Sequence, residues 1–116
     1  MTTLLVFTNL PDGDSARAIA QALIDARLAA CVNILSPCLS VYRWQEQVEE
    51  AAEVPLLIKT SAVRYAEVEA VIRARHPYEL PEIVAVPIER GLPDYLAWVL
   101  AETAVPATLA TPHETD

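Results

Sequence analysis

The stretch Ala30-Cys31-Val32-Asn33-Ile34-Leu35-Ser36-Pro37-Cys38-Leu39-Ser40-Val41-Tyr42-Arg43-Trp44 decides the fold. Its first part, Ala30 to Leu35, has the apolar, β-branched chemistry of a strand. Beyond the Ser36-Pro37 interruption, Ser40, Tyr42 and Trp44 alternate with Leu39, Val41 and Arg43 at the period of two that a strand requires. A long strand bent at Pro37 follows. After the polar Gln45-Glu46-Gln47, the run from Val48 to Thr60 reads as a further strand, so the two form a long hairpin. Pro55 cannot donate to a ladder, which puts that point at an edge or a bulge.

Outward from the hairpin, the remaining elements fall on either side. Leu4-Leu5-Val6-Phe7 is a short apolar strand, ended by Asn9, Pro11, Asp12 and Gly13 and expected to be buried on both faces. From Asp14 the apolar residues Ala16, Ile19, Ala20 and Leu23 recur at helical intervals, with Asp12, Asp14 and Ser15 available to cap the first turn. Val63 to Arg75 predicts a second helix, with Tyr65, Val68, Val71, Ile72 and the stem of Arg75 on one stripe. Pro77 forbids its extension. Ile83 to Val86 is the last strand, and Gly91 and Pro93 open a short final helix through Leu100. Residues 1–104 then form one domain, and the polar residues 105–116 form a tail with little to bury, expected to be mobile.

The order is strand, helix, strand, strand, helix, strand: a split βαβ arrangement of the α+β class. Right-handed crossovers put both helices on one face of a four-stranded antiparallel sheet. The other face is left for water or for another copy of the chain, and a hairpin longer than its sheet favours self-association.

Composition narrows the function. The chain has 116 residues, 53% of them hydrophobic, which suffices for one packed core. A formal charge of −8 repels phosphate backbones and anionic lipid, so nucleic-acid and membrane-surface binding are disfavoured. No run approaches the ~20 apolar residues of a spanning helix, and the N-terminus lacks the basic region of a leader, so a cytoplasmic protein is expected. Two cysteines are too few for a disulfide framework and suit a reducing compartment.

Several stretches match one family in order: Leu28-Ala29-Ala30-Cys31-Val32-Asn33, Ser40-Val41-Tyr42-Arg43-Trp44, Ile58-Lys59-Thr60, and His76-Pro77-Tyr78 with Pro81-Glu82-Ile83. With Asp94-Tyr95-Leu96 and Trp98, they make the chain resemble the CutA divalent-cation tolerance proteins to about Ala101. The resemblance implies a ferredoxin-like sandwich in a tight PII-like homotrimer, a role in tolerance of copper and other divalent ions, and no enzymatic reaction or organic cofactor. Glu46 and Gln47 stand where relatives usually carry glycine and lysine. Since a glycine there would supply a positive φ, a different or longer turn is expected. Cys38 similarly replaces a common glycine.

Copper favours thiolate and imidazole, so Cys31, Cys38 and His76 are the candidate metal ligands. In an unbroken strand the two cysteines would lie on opposite faces and roughly 23 Å apart. Without a metal, Cys31 reads as a small core residue, Cys38 as an exposed thiol and His76 as the end of a helix, where it can bond the last carbonyls. Pro77 and Pro81 would stiffen a loop presenting His76, Tyr78 and Glu82 to a cleft between subunits. Lys59, in an otherwise apolar strand, needs a carboxylate or an anionic ligand, with Glu82 the candidate partner. Lys59, Tyr78 and Glu82 are thus the candidate cleft. Glu49, Glu50 and Glu53 suit a solvated face or pairing with Arg43 across the hairpin. Tyr42, Trp44, Tyr95 and Trp98 are expected at packing and subunit interfaces. His113, in the tail, is assigned to no site.

Three functions compete. The first is a non-enzymatic homotrimer in divalent-metal response, with copper or another divalent cation bound directly. The second is a PII-like trimer binding an anionic metabolite near Lys59. The third is a small phosphatase, for which Gly13 and Gly91 are too isolated to build a phosphate cradle.

Overall fold

A computed structural model describes residues 2–106. Strand β1 runs Thr3–Leu10, helix α1 Gly13–Asp25, β2 Cys31–Ile34, β3 Cys38–Trp44, β4 Gln47–Ser61, helix α2 Tyr65–Arg75 behind a 3-10 turn, β5 Val84–Pro87 and helix α3 Pro93–Glu102. The sheet order is β2-β4-β1-β5, with β3 continuing along the first half of β4. All pairs are antiparallel. This is the ferredoxin-like arrangement, the long strand expected over 30–44 being broken into β2 and β3. Residues 107–116, including His113 and most of the tail, lie outside the described residues.

The break between β2 and β3 has a defined register. Ile34 faces Leu56, whereas Cys38 faces Glu53, so three residues on one strand span two on the other. Pro55 sits at this bulge; its carbonyl accepts from Leu35 N at 3.0 Å, and its missing N–H falls where the regular ladder is already interrupted. The offset also reassigns faces. Cys31 pairs with Lys59 and Cys38 with Glu53, both odd-numbered positions of β4, so the cysteines share a face instead of opposing one another. They remain about 20 Å apart along β4.

The hairpin tip is tight, so of the different or longer turn expected there the longer form is ruled out. Trp44 pairs with Gln47, and the two residues between them, Gln45 and Glu46, hold φ of 48° and 66°. Both central residues at positive φ define the type I′ turn whose twist suits a hairpin, built here without glycine. Helix α1 starts on Asp12, whose carboxylate accepts from Ser15 N at 2.8 Å. That bond holds the Asp12 carboxyl below its ordinary range. The helix ends with Arg27 at φ 58° and a Leu28 N to Leu23 O bond of 2.9 Å, a Schellman closure that brings Leu28 into the core.

The core lies between the sheet and helices α1 and α2: Val6, Leu10, Val54, Leu56 and Ile58 meet Ile19, Leu23, Val68 and Ile72. These sheet residues are all even-numbered, so β1 is closed on one face and only half-buried on the other, rather than buried on both. The odd face carries Leu5, Phe7, Leu57, Val84 and Val86. Helix α3 closes one end of it. There the Thr103 hydroxyl lies 3.0 Å from that of Ser61, and Val99 is buried.

Candidate functional site

At the opposite end of the odd face, the segment leaving α2 folds over the root of the hairpin. Helix α2 stops at Arg75 because Pro77 excludes helical dihedrals from His76, which adopts φ −75°, ψ 133°. The His76 side chain then acts as a clamp. Its Nε2 donates to the Asn9 carbonyl at 2.7 Å, and its Nδ1 accepts from Tyr78 N at 3.1 Å. A carbonyl can only accept and a backbone N–H only donate, so these partners fix the Nε2–H tautomer. Glu82 fastens the far end of the segment by accepting from Asn9 Nδ2 at 3.1 Å.

Between this segment and the hairpin lies a cavity of about 800 Å³ lined by Asn9, Ser40, Val41, Tyr42, Trp44, Glu53 and the residues Pro77 to Leu80 with Glu82. Glu53 is only 8% exposed. Burial, and next the Glu53 carboxylate, push the Tyr78 phenol up to about 12. Both effects disfavour a phenolate, so Tyr78 stays a neutral donor throughout the physiological range.

The expected site residues separate into groups. Tyr78 and Glu82 do line the cavity, as do Tyr42 and Trp44. Lys59 does not; it donates to Asn33 Oδ1 at 2.7 Å, and Glu82 is occupied by Asn9, so the expected Lys59–Glu82 pair is absent. Cys31 lies beside Lys59, with its Sγ 3.9 Å from the same Asn33 oxygen, half-buried on the odd face and outside the main core. Cys38 is exposed on the hairpin, and its Sγ is 3.8 Å from the Ser40 hydroxyl. His76 is buried with both ring nitrogens engaged. One chain therefore does not gather Cys31, Cys38 and His76, and no group of three His, Cys, Asp or Glu among the described residues is placed to hold a metal ion.

Arg43 faces Val48, not a glutamate, and the ion pairs found among the described residues are Arg27–Glu102 and Arg64–Glu67. Tyr95 and Trp98 lie on α3 with ring centroids 5.6 Å apart, each partly exposed. Glu53 and Asn9 are the cavity residues that pattern reading misses. Glu53 shares the face of Tyr42 by strand periodicity, and that alternation is the available signal.

Fold and site together describe a ferredoxin-like domain with one closed sheet face, one open face, a projecting hairpin and an acidic, aromatic cavity at the hairpin root. The family model described as CutA1 divalent ion tolerance protein matches residues 4–102. The chain belongs to the CutA family. It is 44% identical over 99 residues to the divalent-cation tolerance protein CutA of Thermus thermophilus, covering 85% of this chain and 96% of that protein. It is 41% identical over 93 residues to the mouse protein CutA, covering 80% of this chain and spanning 52% of that longer relative. Among solved structures, the divalent cation tolerance protein of Thermus thermophilus superposes with TM-score 0.86 at 43% identity, over 88% of this chain and 99% of that one. The CutA1 of Oryza sativa superposes with TM-score 0.87 at 33% identity, over 91% and 97%.

Proposed function

We propose that this chain is the non-enzymatic subunit of a homotrimer that contributes to tolerance of divalent metal ions, in the manner the names of its relatives describe. The observation that carries the reading is the open sheet face. Val84 and Val86 are 50% and 45% exposed beside half-buried Leu5, Phe7 and Leu57, and the opposite face of the projecting hairpin adds Leu39, Val41 and Val48, each above 60%. So much apolar surface on one small chain is best accounted for by other copies packed against it. The partly exposed Tyr42, Trp44, Tyr95 and Trp98 supply the aromatic anchors of such contacts.

Copper or another divalent cation is, on this reading, held between copies. Cys31 on the open face is the soft donor most readily brought near its equivalents by an axis through that face. The alternative of a PII-like site for an anionic metabolite is supported less well, since Lys59 is spent on Asn33 and carboxylates line the cavity. Free Cys31 and Cys38 favour a cytoplasmic location, although the Archaeoglobus fulgidus relative is described as periplasmic. No helix among the described residues is long and apolar enough to cross a membrane.

The test joins mass to metal. Sedimentation equilibrium of the full chain should give a trimer, and calorimetric titration with copper should give saturable binding that Cys31→Ser removes. A monomer would end the assembly reading, and a trimer without saturable copper heat would end direct metal binding.

A further inference from the structure

Residues 77–82 are held against the sheet through side chains: among the described residues no backbone hydrogen bond joins them to β1 or β4. The Glu82 carboxylate holds the Asn9 amide, the Glu53 carboxylate holds the Tyr78 phenol, and the His76 ring holds both the Asn9 carbonyl and the Tyr78 N–H. With both nitrogens engaged inside the chain, His76 is no metal ligand here. Its clamp works in one protonation state alone. Nε2 donates at 2.7 Å and Nδ1 accepts at 3.1 Å, so a second proton, on Nδ1, would point at the Tyr78 N–H, donor against donor. Imidazole is the side chain that gains or loses such a proton between pH 5 and 8. The ring is buried, its centroid 4.8 Å from that of Tyr78, and a buried N–H without an acceptor is costly, so ring and backbone must part.

The surroundings favour the charged ring once the two have parted. His76 follows the last residue of α2, where the helix dipole favours a cation. The titratable and charged groups around the clamp are Asp12 ahead of α1, Tyr42 on β3, Glu53 on β4, Tyr78, Glu79 and Glu82 on the segment itself, and the exposed Arg73 and Arg75 in the last turn of α2. Four carboxylates thus stand against two guanidiniums. We propose that His76 is an acid-released latch: neutral, it clamps residues 77–82 over the hairpin root, and on taking up a proton it frees the Tyr78 N–H and lets the segment lift. Lifting removes the Tyr78 and Leu80 side of the cavity, so the hairpin loses its support at the root. The latch lies within one chain and is independent of metal binding and of assembly.

Nuclear magnetic resonance of the full chain tests it, following the His76 ring nitrogens and the Tyr78 amide from pH 8 to pH 5, with amide exchange referred to an unstructured peptide at each pH. At pH 8 the proton should sit on Nε2. As the ring takes up its second proton, protection of the Tyr78 amide should fall about tenfold, the loss of one hydrogen bond, while that of Val6 in β1 holds. His76→Gln, whose amide donates and accepts without titrating, should keep Tyr78 protected over the whole range. A Tyr78 amide that stays protected while the ring protonates overturns the proposal, as does one that opens only together with Val6, or a ring that stays neutral to pH 5. Loss of protection at the same pH in His76→Gln assigns the opening to the carboxylates and overturns it as well. Where His76→Gln is open already at pH 8, Glu53→Gln and Glu82→Gln decide: an acid transition that either abolishes overturns the proposal, and one that persists in both supports it.

Discussion

The two faces of the central sheet are built from the same strands, and in β1, β4 and β5 from the same kinds of residue, yet they end in opposite states. On the even side, Val6, Leu56 and Ile58 are fully buried under α1 and α2. On the odd side, Leu5, Phe7 and Leu57 stay half-buried, Val84 and Val86 are about half exposed, and Asn33 and Lys59 share a hydrogen bond in their midst. Side-chain chemistry alone does not separate the faces; the presence of a second layer does. A strand that is apolar at every position therefore has one face closed by its own helices and a second that those helices leave open.

That contrast can be broken from either side. The largest effect is expected from Val86→Glu, which places a charge in the centre of the open face. The assembled mass in sedimentation equilibrium should fall about threefold, to a folded single chain with unchanged far-ultraviolet circular dichroism. On the closed face, Ile58→Ala should cost about 3 kcal/mol in urea unfolding, from lost burial and the cavity left between β4 and the helices. The margin is tested by His76→Ala, which removes the bond to the Asn9 carbonyl and the acceptor for Tyr78 N–H. A loss of about 2 kcal/mol is expected, with proteolytic cleavage appearing between Pro77 and Glu82.

Smaller effects belong to the hairpin. Glu46→Gly relieves one left-handed residue at the tip and should stabilise the chain by about 1 kcal/mol in thermal unfolding. Titration of Tyr78 by tyrosinate absorbance sharpens the picture of the cavity without changing the fold. Its folded pKa, about 12, is raised above the ordinary 10.0. Its contribution to stability is therefore complete below pH 10 and disappears as pH rises through 12. Glu53→Gln should lower that pKa without restoring the ordinary value, because burial is the larger cause.

Much of this architecture is legible in the residues. The periods of Ala16, Ile19 and Leu23, the stop at Pro77, and the alternation through Ser40, Tyr42 and Trp44 mark the elements, and their order gives the split βαβ topology. The tip escapes such reading because Gln45 and Glu46 carry no glycine, and the twist of the flanking strands imposes a conformation that local preference disfavours. The cavity is half legible. Tyr78 and Glu82 follow from a proline-stiffened loop, while Glu53 looks like one of three solvated glutamates, since its burial depends on a segment about 25 residues further along. That Lys59 needs a partner is plain from its apolar neighbours, but Asn33 reaches it through strand pairing across 26 positions, which no local pattern reports.

The bulge at Pro55 also constrains how this hairpin can change by mutation. Three residues opposite two is an odd offset, so deleting the codon for Ser36 would bring the strands into even register and turn β3 over relative to β4. Tyr42 and Trp44 would exchange places with Val41 and Arg43, and both the cavity wall and the apolar arm would be lost in one step. Removing two residues from each side of the tip keeps the same kind of pair beside the two-residue turn and leaves everything nearer the sheet undisturbed. The arm is thus free to vary in length among descendants of this gene by matched pairs of codons, while a single-codon deletion near its root is expected to be purged.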